Sequence, residues 1–74
     1  MDFQNKLQKE ITASIYFADA KVQLLGNRVF IKKHALSHLA TLELLNICWL
    51  VNTILTISPD KHSNNLIITF TDAS

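Results

Sequence analysis

The chain opens with an apolar residue at every fourth position and polar residues in the gaps. Phe3, Leu7 and Ile11 carry this spacing. Such a spacing places the three side chains on one face of a helix. The pattern therefore predicts an amphipathic helix that ends near residue 13.

Residues 14–25 allow two interpretations. The apolar spacing can continue to Leu25, with Gly26 ending one long first helix. Alternatively, residues 21–24 and 28–32 alternate between apolar and polar side chains, as strands do. Gly26 and Asn27 tolerate a positive φ and suit a two-residue hairpin turn. We favour the hairpin, because β-branched and aromatic residues are frequent from 15 to 31.

The segment that follows the hairpin contains no helix-breaking residue. Neither glycine nor proline occurs from His34 to Ile57, and Ser58-Pro59 comes directly afterwards. Because proline cannot continue a helix, the segment predicts one long helix over 34–57. Residues 60–65 are polar and predict a loop, and residues 66–71 predict a strand.

These elements predict a small single α+β domain over residues 1–74. Its order is an N-terminal helix, a β-hairpin, a long buried helix and a C-terminal strand that completes a three-stranded sheet. The long helix can serve as a crossover, so we expect residues 66–71 to pair in parallel with 28–33. The chain has 74 residues, 49% of them hydrophobic, and a single cysteine, so no internal disulfide supports its small core.

The predicted long helix is apolar on two sides. Leu42, Leu45 and Trp49 form a stripe opposite a wider apolar arc, and a sheet can cover only one of these sides. One interpretation is that the first helix covers the stripe. The other is that a second copy or another protein covers it, with Trp49 as an anchor. The wide arc consists of Leu36, Leu39, Ala40, Leu44, Ile47, Leu50, Val51, Ile54, Leu55 and Ile57.

Glu43 is the one charged residue within this predicted wide arc. A carboxylate in apolar surroundings needs a partner or must take up a proton. We expect it to reach a lysine, an arginine or water. The alternatives are an ion pair between subunits, a pH-sensitive switch and, last, a general acid or base.

The net charge is +1, but four cations and no acid lie between residues 21 and 38. Arg28, Phe30 and Lys32 share one face of the predicted hairpin, and Lys33 follows. An aromatic ring between cations can pack on an acidic protein or stack on a nucleobase. Since phosphate binding usually needs more cations, nucleic acid is the weaker expectation.

Enzymatic motifs are missing from the sequence. A single glycine excludes the glycine-rich phosphate loops. His34 and His38 have a spacing that can hold a metal, but they lack the glutamate of the zinc-protease motif. Cys48 lies in the predicted buried helix, so we expect it to pack as a small apolar residue. We therefore expect no catalytic residue, no metal site and no cofactor.

The compartment and the function follow from these expectations. A single-pass membrane helix over 39–57 is an alternative, although Asn46 and Asn52 make it costly. The N-terminus lacks a signal-peptide pattern, and a lone thiol suits a reducing compartment, so we expect a cytoplasmic protein. The sequence predicts a small non-enzymatic interaction or regulatory module. This module either associates with itself through the long helix or binds to a larger protein. The alternative is nucleic-acid or anionic-ligand binding through the basic hairpin.

Overall fold

The computed structural model describes residues 2–73, which form two helices and a four-stranded antiparallel sheet. This confirms the α+β class. In chain order the elements are α1 (Asp2–Ala13), β1 (Val22–Leu25), β2 (Arg28–Lys33), α2 (His38–Leu50), β3 (Thr53–Pro59) and β4 (Leu66–Asp72).

The short first helix and the hairpin are both confirmed. Leu25 pairs with Arg28, which leaves Gly26 and Asn27 as the two-residue turn. Gly26 has a φ of 58°, a conformation that a residue without Cβ adopts at little cost. The Gln4 side-chain amide donates a hydrogen bond of 2.6 Å to the Gly26 carbonyl and so ties α1 to the turn.

The sheet has four strands in the order β1-β2-β4-β3, so the predicted three-stranded sheet is wrong. The expected parallel pairing of 66–71 with 28–33 is also wrong, because β2 and β4 are antiparallel, with Phe30 opposite Thr69. The physical reason is the additional strand β3, which reverses the direction of the chain before β4 begins. Both β2 and β3 are antiparallel to β4, so they run parallel to each other and flank it in a split β-α-β unit.

The predicted helix over 34–57 is wrong at both ends. The helix α2 begins only after Ser37, whose hydroxyl accepts a hydrogen bond from the Ala40 backbone N–H at 3.1 Å and caps the helix. The helix ends at Leu50. Asn52 then adopts a φ of 20°, outside the helical region, and redirects the chain into β3. Tertiary pairing with β4 thus selects the strand conformation for residues rich in isoleucine and threonine.

Both helices pack on the same face of the sheet. The side chains buried between the layers come from α1, from the 14–21 segment, from α2 and from the two central strands. They are Leu7, Ile11, Phe17, Val29, Ile31, Ala40, Leu44, Ile47, Ile68 and Phe70. The other face of the sheet has no covering element among residues 2–73. Neither of the two helices is long and apolar enough to cross a bilayer.

The segment between α1 and β1 is neither helix nor strand. Phe17 is fully buried, whereas Ile15 is exposed. The Lys33 ammonium donates a hydrogen bond of 3.1 Å to the Tyr16 carbonyl and lies 5.8 Å from the centroid of the Phe17 ring. One side chain at the end of β2 therefore holds this segment against the domain.

Candidate interaction surface on the second helix

The solvent side of α2 is mostly apolar, and His38 and Asn46 are its exposed polar residues. Five of its large side chains are exposed, and we call them the α2 face. They are Leu39 (57% exposed), Leu42 (48%), Leu45 (55%), Trp49 (85%) and Leu50 (57%). Monomeric proteins rarely expose this many large apolar side chains on one helix without a function for them.

The position of the α2 face follows from the helical period. Ala40, Leu44 and Ile47 point to the sheet and are buried. Leu42 and Leu45 lie far from this direction at 100° per residue, and so do their neighbours along the same side. A helix normally carries polar residues there.

The sequence pattern located part of this surface. The structure places Leu42, Leu45 and Trp49 together on it, as their spacing suggests, but it also exposes Leu39 and Leu50. The helical period had placed those two leucines in the wide apolar arc, which was expected to be buried. They were missed because one sheet buries a narrower sector of α2 than the whole apolar arc.

The first helix does not cover the stripe. Leu7 and Ile11 are fully buried in the main core, and Phe3 packs against that same core. The helix α1 instead borders one flank of α2, where Leu50 and Val51 line a cleft of about 410 Å³ together with Phe3. The interpretation in which α1 covers the stripe is therefore wrong.

Glu43 is the only charged residue in α2. Its side chain is half-buried, and it forms no ion pair within residues 2–73. The predicted pairing with a lysine or an arginine of the same chain is thus not made. The five residues of the α2 face carry no charge that would oppose contact with another apolar surface.

The basic hairpin residues are divided between the two faces of the sheet. Val29 and Ile31 are buried under the helices, so the residues that alternate with them, Arg28, Phe30 and Lys32, lie on the open face. Lys33 lies on the helix side. The open face therefore brings together two of the three predicted cations around Phe30.

One of those two cations has an acidic partner. The Lys32 ammonium lies 3.3 Å from the Asp60 carboxylate. The charge that the open face offers to an anion is consequently reduced, and Arg28 is its remaining cation on β2. This arrangement is weaker for anion binding than the sequence alone suggested.

The remaining candidate chemistry is not assembled. His38 starts α2 whereas His34 precedes it, so the two histidines do not share a helical face as predicted. Within residues 2–73 no group of three histidine, cysteine, aspartate or glutamate side chains could hold a metal ion. Cys48 is a half-buried free thiol packed against the core.

Comparison with known proteins adds no assignment to this geometry. No family model, no curated protein and no solved structure matches the chain.

Proposed function

We propose that this protein is a non-enzymatic interaction module that forms a homodimer through the α2 face. The observation that carries the proposal is the exposure of five large apolar side chains on one helix. Together they present on the order of 600 Å², at the upper end of the largest apolar patches on monomers. Covering this area on association supplies the hydrophobic driving force.

A second copy fits the α2 face better than a lipid surface does. Helices that lie on membranes combine an apolar face with lysines or arginines that attract anionic headgroups. The helix α2 contains neither residue type. An uncharged apolar surface is also self-complementary, because a two-fold axis brings no like charges together.

The spacing within the α2 face also favours helix–helix contact. Leu42, Leu45 and Trp49 follow intervals of three and four residues, which is the spacing of seams between packed helices. A large exposed aromatic side chain is a frequent anchor in protein interfaces. Trp49 has this role in the proposed dimer.

Sedimentation velocity tests the proposal. The wild type at tens of micromolar is expected to sediment as a dimer, and a Leu45→Asp, Trp49→Asp variant as a folded monomer. The matched control is Leu25→Asp, Ile15→Asp, which changes two side chains of similar exposure (66% and 85%) outside α2. This control is expected to remain dimeric.

A monomeric wild type would overturn the proposal, and so would a folded α2 variant that sediments like the wild type. A parallel measurement of co-sedimentation with vesicles of anionic phospholipid identifies the competing occupant. Binding of a monomeric wild type to these vesicles would assign the α2 face to lipid.

A further inference from the structure

The strand β3 is an open edge of the sheet with unusually few protecting features. It has seven residues, and no charged side chain occurs from Val51 to Pro59. Edge strands are normally kept apart by lysines, bulges, prolines or shortness. The opposite edge, β1, is protected in this way, since it has four residues and follows Lys21. On β3 only the terminal Pro59 has this role.

Both faces of β3 expose isoleucine. Ile54 is 57% exposed and alternates onto the open face of the sheet. Ile57 lies on the helix side, yet it is 42% exposed. The edge therefore has free backbone groups with uncovered apolar side chains above and below them.

The sequence of β3 is self-complementary in one register. When two copies run antiparallel with Thr56 opposite itself, all seven residues of each strand overlap. Leu55 then lies opposite Ile57 of the second copy on the helix side, and Ile54 lies opposite Ser58 on the open face. Threonine facing threonine is a favourable cross-strand pair, and no charges oppose each other.

We propose that the second copy adds to the sheet along β3, with Thr56 on the two-fold axis, to make a continuous eight-stranded sheet. This inference rests on the proposed homodimer and specifies how its subunits are joined. Each β3 then gains backbone hydrogen bonds along the new pairing except at Pro59, which has no N–H. Ile57 becomes covered by the side chain of Leu55 from the other subunit.

The same axis brings the α2 helices together. The helix α2 packs on β3, and its Leu50 flank borders α1. Leu45 lies about 140° around the helix from Leu50 and thus on the flank that faces the β3 edge. Pairing at β3 places the two α2 helices antiparallel on one face of the joined sheet. Leu45 is then the stripe residue nearest to the axis, because Leu42 and Trp49 point away from the sheet.

The buried area supports a joint interface. The stripe of Leu42, Leu45 and Trp49 exposes on the order of 400 Å², whereas a stable dimer buries about 800 Å² on each partner. The β3 edge, with Ile54 and Ile57, supplies further apolar area next to the stripe. Helix contact and strand pairing together therefore bury more apolar area than the stripe alone.

Charge substitution at Thr56 tests the pairing. Thr56→Lys and Thr56→Glu each place like charges opposite one another at the axis, so dimerisation is expected to weaken about tenfold or more. A one-to-one mixture of the two variants places opposite charges there and is expected to restore the dimer. The controls are Gln23→Lys and Gln23→Glu, which make the same changes at an exposed position of β1.

Cross-linking gives a second measurement that does not depend on weakening the dimer. In a Cys48→Ala background, Thr56→Cys is expected to form a disulfide-linked dimer on mild oxidation, because residues directly opposite in a sheet lie within disulfide range. Gln23→Cys in the same background is expected to remain unlinked. Circular dichroism on each variant verifies the fold.

The outcomes separate the two proposals. A monomeric wild type overturns both. A wild-type dimer that tolerates Thr56→Lys, gains nothing from the mixture and does not cross-link through Thr56→Cys overturns the β3 pairing. In that case the α2 proposal stands if the Leu45→Asp, Trp49→Asp variant is monomeric.

Discussion

The Lys32 ammonium on β2 lies 3.3 Å from the Asp60 carboxylate, at the start of the loop between β3 and β4. The contact joins β2 to the loop that follows β3, although β4 lies between these two strands in the sheet. The Asp60 side chain is only 9% exposed, and its oxygens also accept hydrogen bonds from the His62 backbone N–H and the Ser63 hydroxyl. A carboxylate held in this way organises the loop.

Acid is expected to destabilise the protein through Asp60. The hydrogen bonds from His62 and Ser63, together with Lys32, lower the pKa of Asp60 below its ordinary value of 3.8. Since the unfolded chain binds this proton more readily, the stabilisation is complete above about pH 4 and is lost as pH falls through the lowered pKa. Urea unfolding from pH 6 to pH 2 measures the decline.

The variant Asp60→Asn is expected to show a shallower decline of stability over this acid range. Asp19→Asn is the matched control, because Asp19 is 89% exposed and only 4.0 Å from Lys33, and it should leave the slope unchanged. Equal slopes for Asp60→Asn and the wild type would contradict the assignment.

Lys33 is expected to act as a structural residue. Its hydrogen bond to the Tyr16 carbonyl and its position over the Phe17 ring fasten the segment after α1. Lys33→Met should lower the free energy of unfolding by about 1–2 kcal/mol, since the half-buried carbonyl loses its donor. Lys21→Met, at an exposed lysine, is the control in the same urea titration. Equal stabilities would refute the role of Lys33.

Truncation should destabilise the protein far more at one leucine of α2 than at another. Leu44 is fully buried and Leu42 is 48% exposed. At protein concentrations low enough for monomers, Leu44→Ala should cost about 2–5 kcal/mol of unfolding free energy, and Leu42→Ala less than about 1 kcal/mol. Thermal or urea unfolding measures both losses of unfolding free energy. A large loss for Leu42→Ala would show that this side chain is covered within the monomer.

Nucleic-acid binding is expected to be weak. The open sheet face presents Phe30 beside Arg28, while Lys32 is already paired with Asp60. Fluorescence anisotropy of a labelled single-stranded oligonucleotide at low and physiological salt should therefore show little binding at the higher salt. Asp60→Asn, which releases Lys32, should bind more tightly than the wild type at low salt. Tight wild-type binding that falls steeply with salt would instead restore the sheet face as an anion site.

The sequence correctly predicted those parts of the fold that depend on patterns within a few residues. The spacing from Phe3 to Ile11 and the glycine at 26 act over a few residues, and both elements formed as expected. The strand β3 was missed because no glycine or proline separates it from α2. Only the β-branched residues of 53–57 and the conformation of Asn52 mark the change, and pairing with β4 determines it.

Part of the candidate surface could be predicted from the sequence for a similar reason. Helical period alone placed Leu42, Leu45 and Trp49 on one side. How much of the wide apolar arc the sheet would bury depended on the true length of α2 and on where α1 packs. Leu39 and Leu50 became visible as surface residues only in the three-dimensional arrangement.

The central place of β4 has a consequence for biosynthesis. The strand made last among the four is the one that β2 and β3 both require. Until Asp72 has been added, β3 can find its native neighbour only in part, and at ordinary translation rates the residues after Pro59 take about one second to synthesise. During that interval β3 has no partner strand and β2 is paired only with β1. Late truncation products of this chain should therefore precipitate or be degraded rather than persist as smaller folded domains.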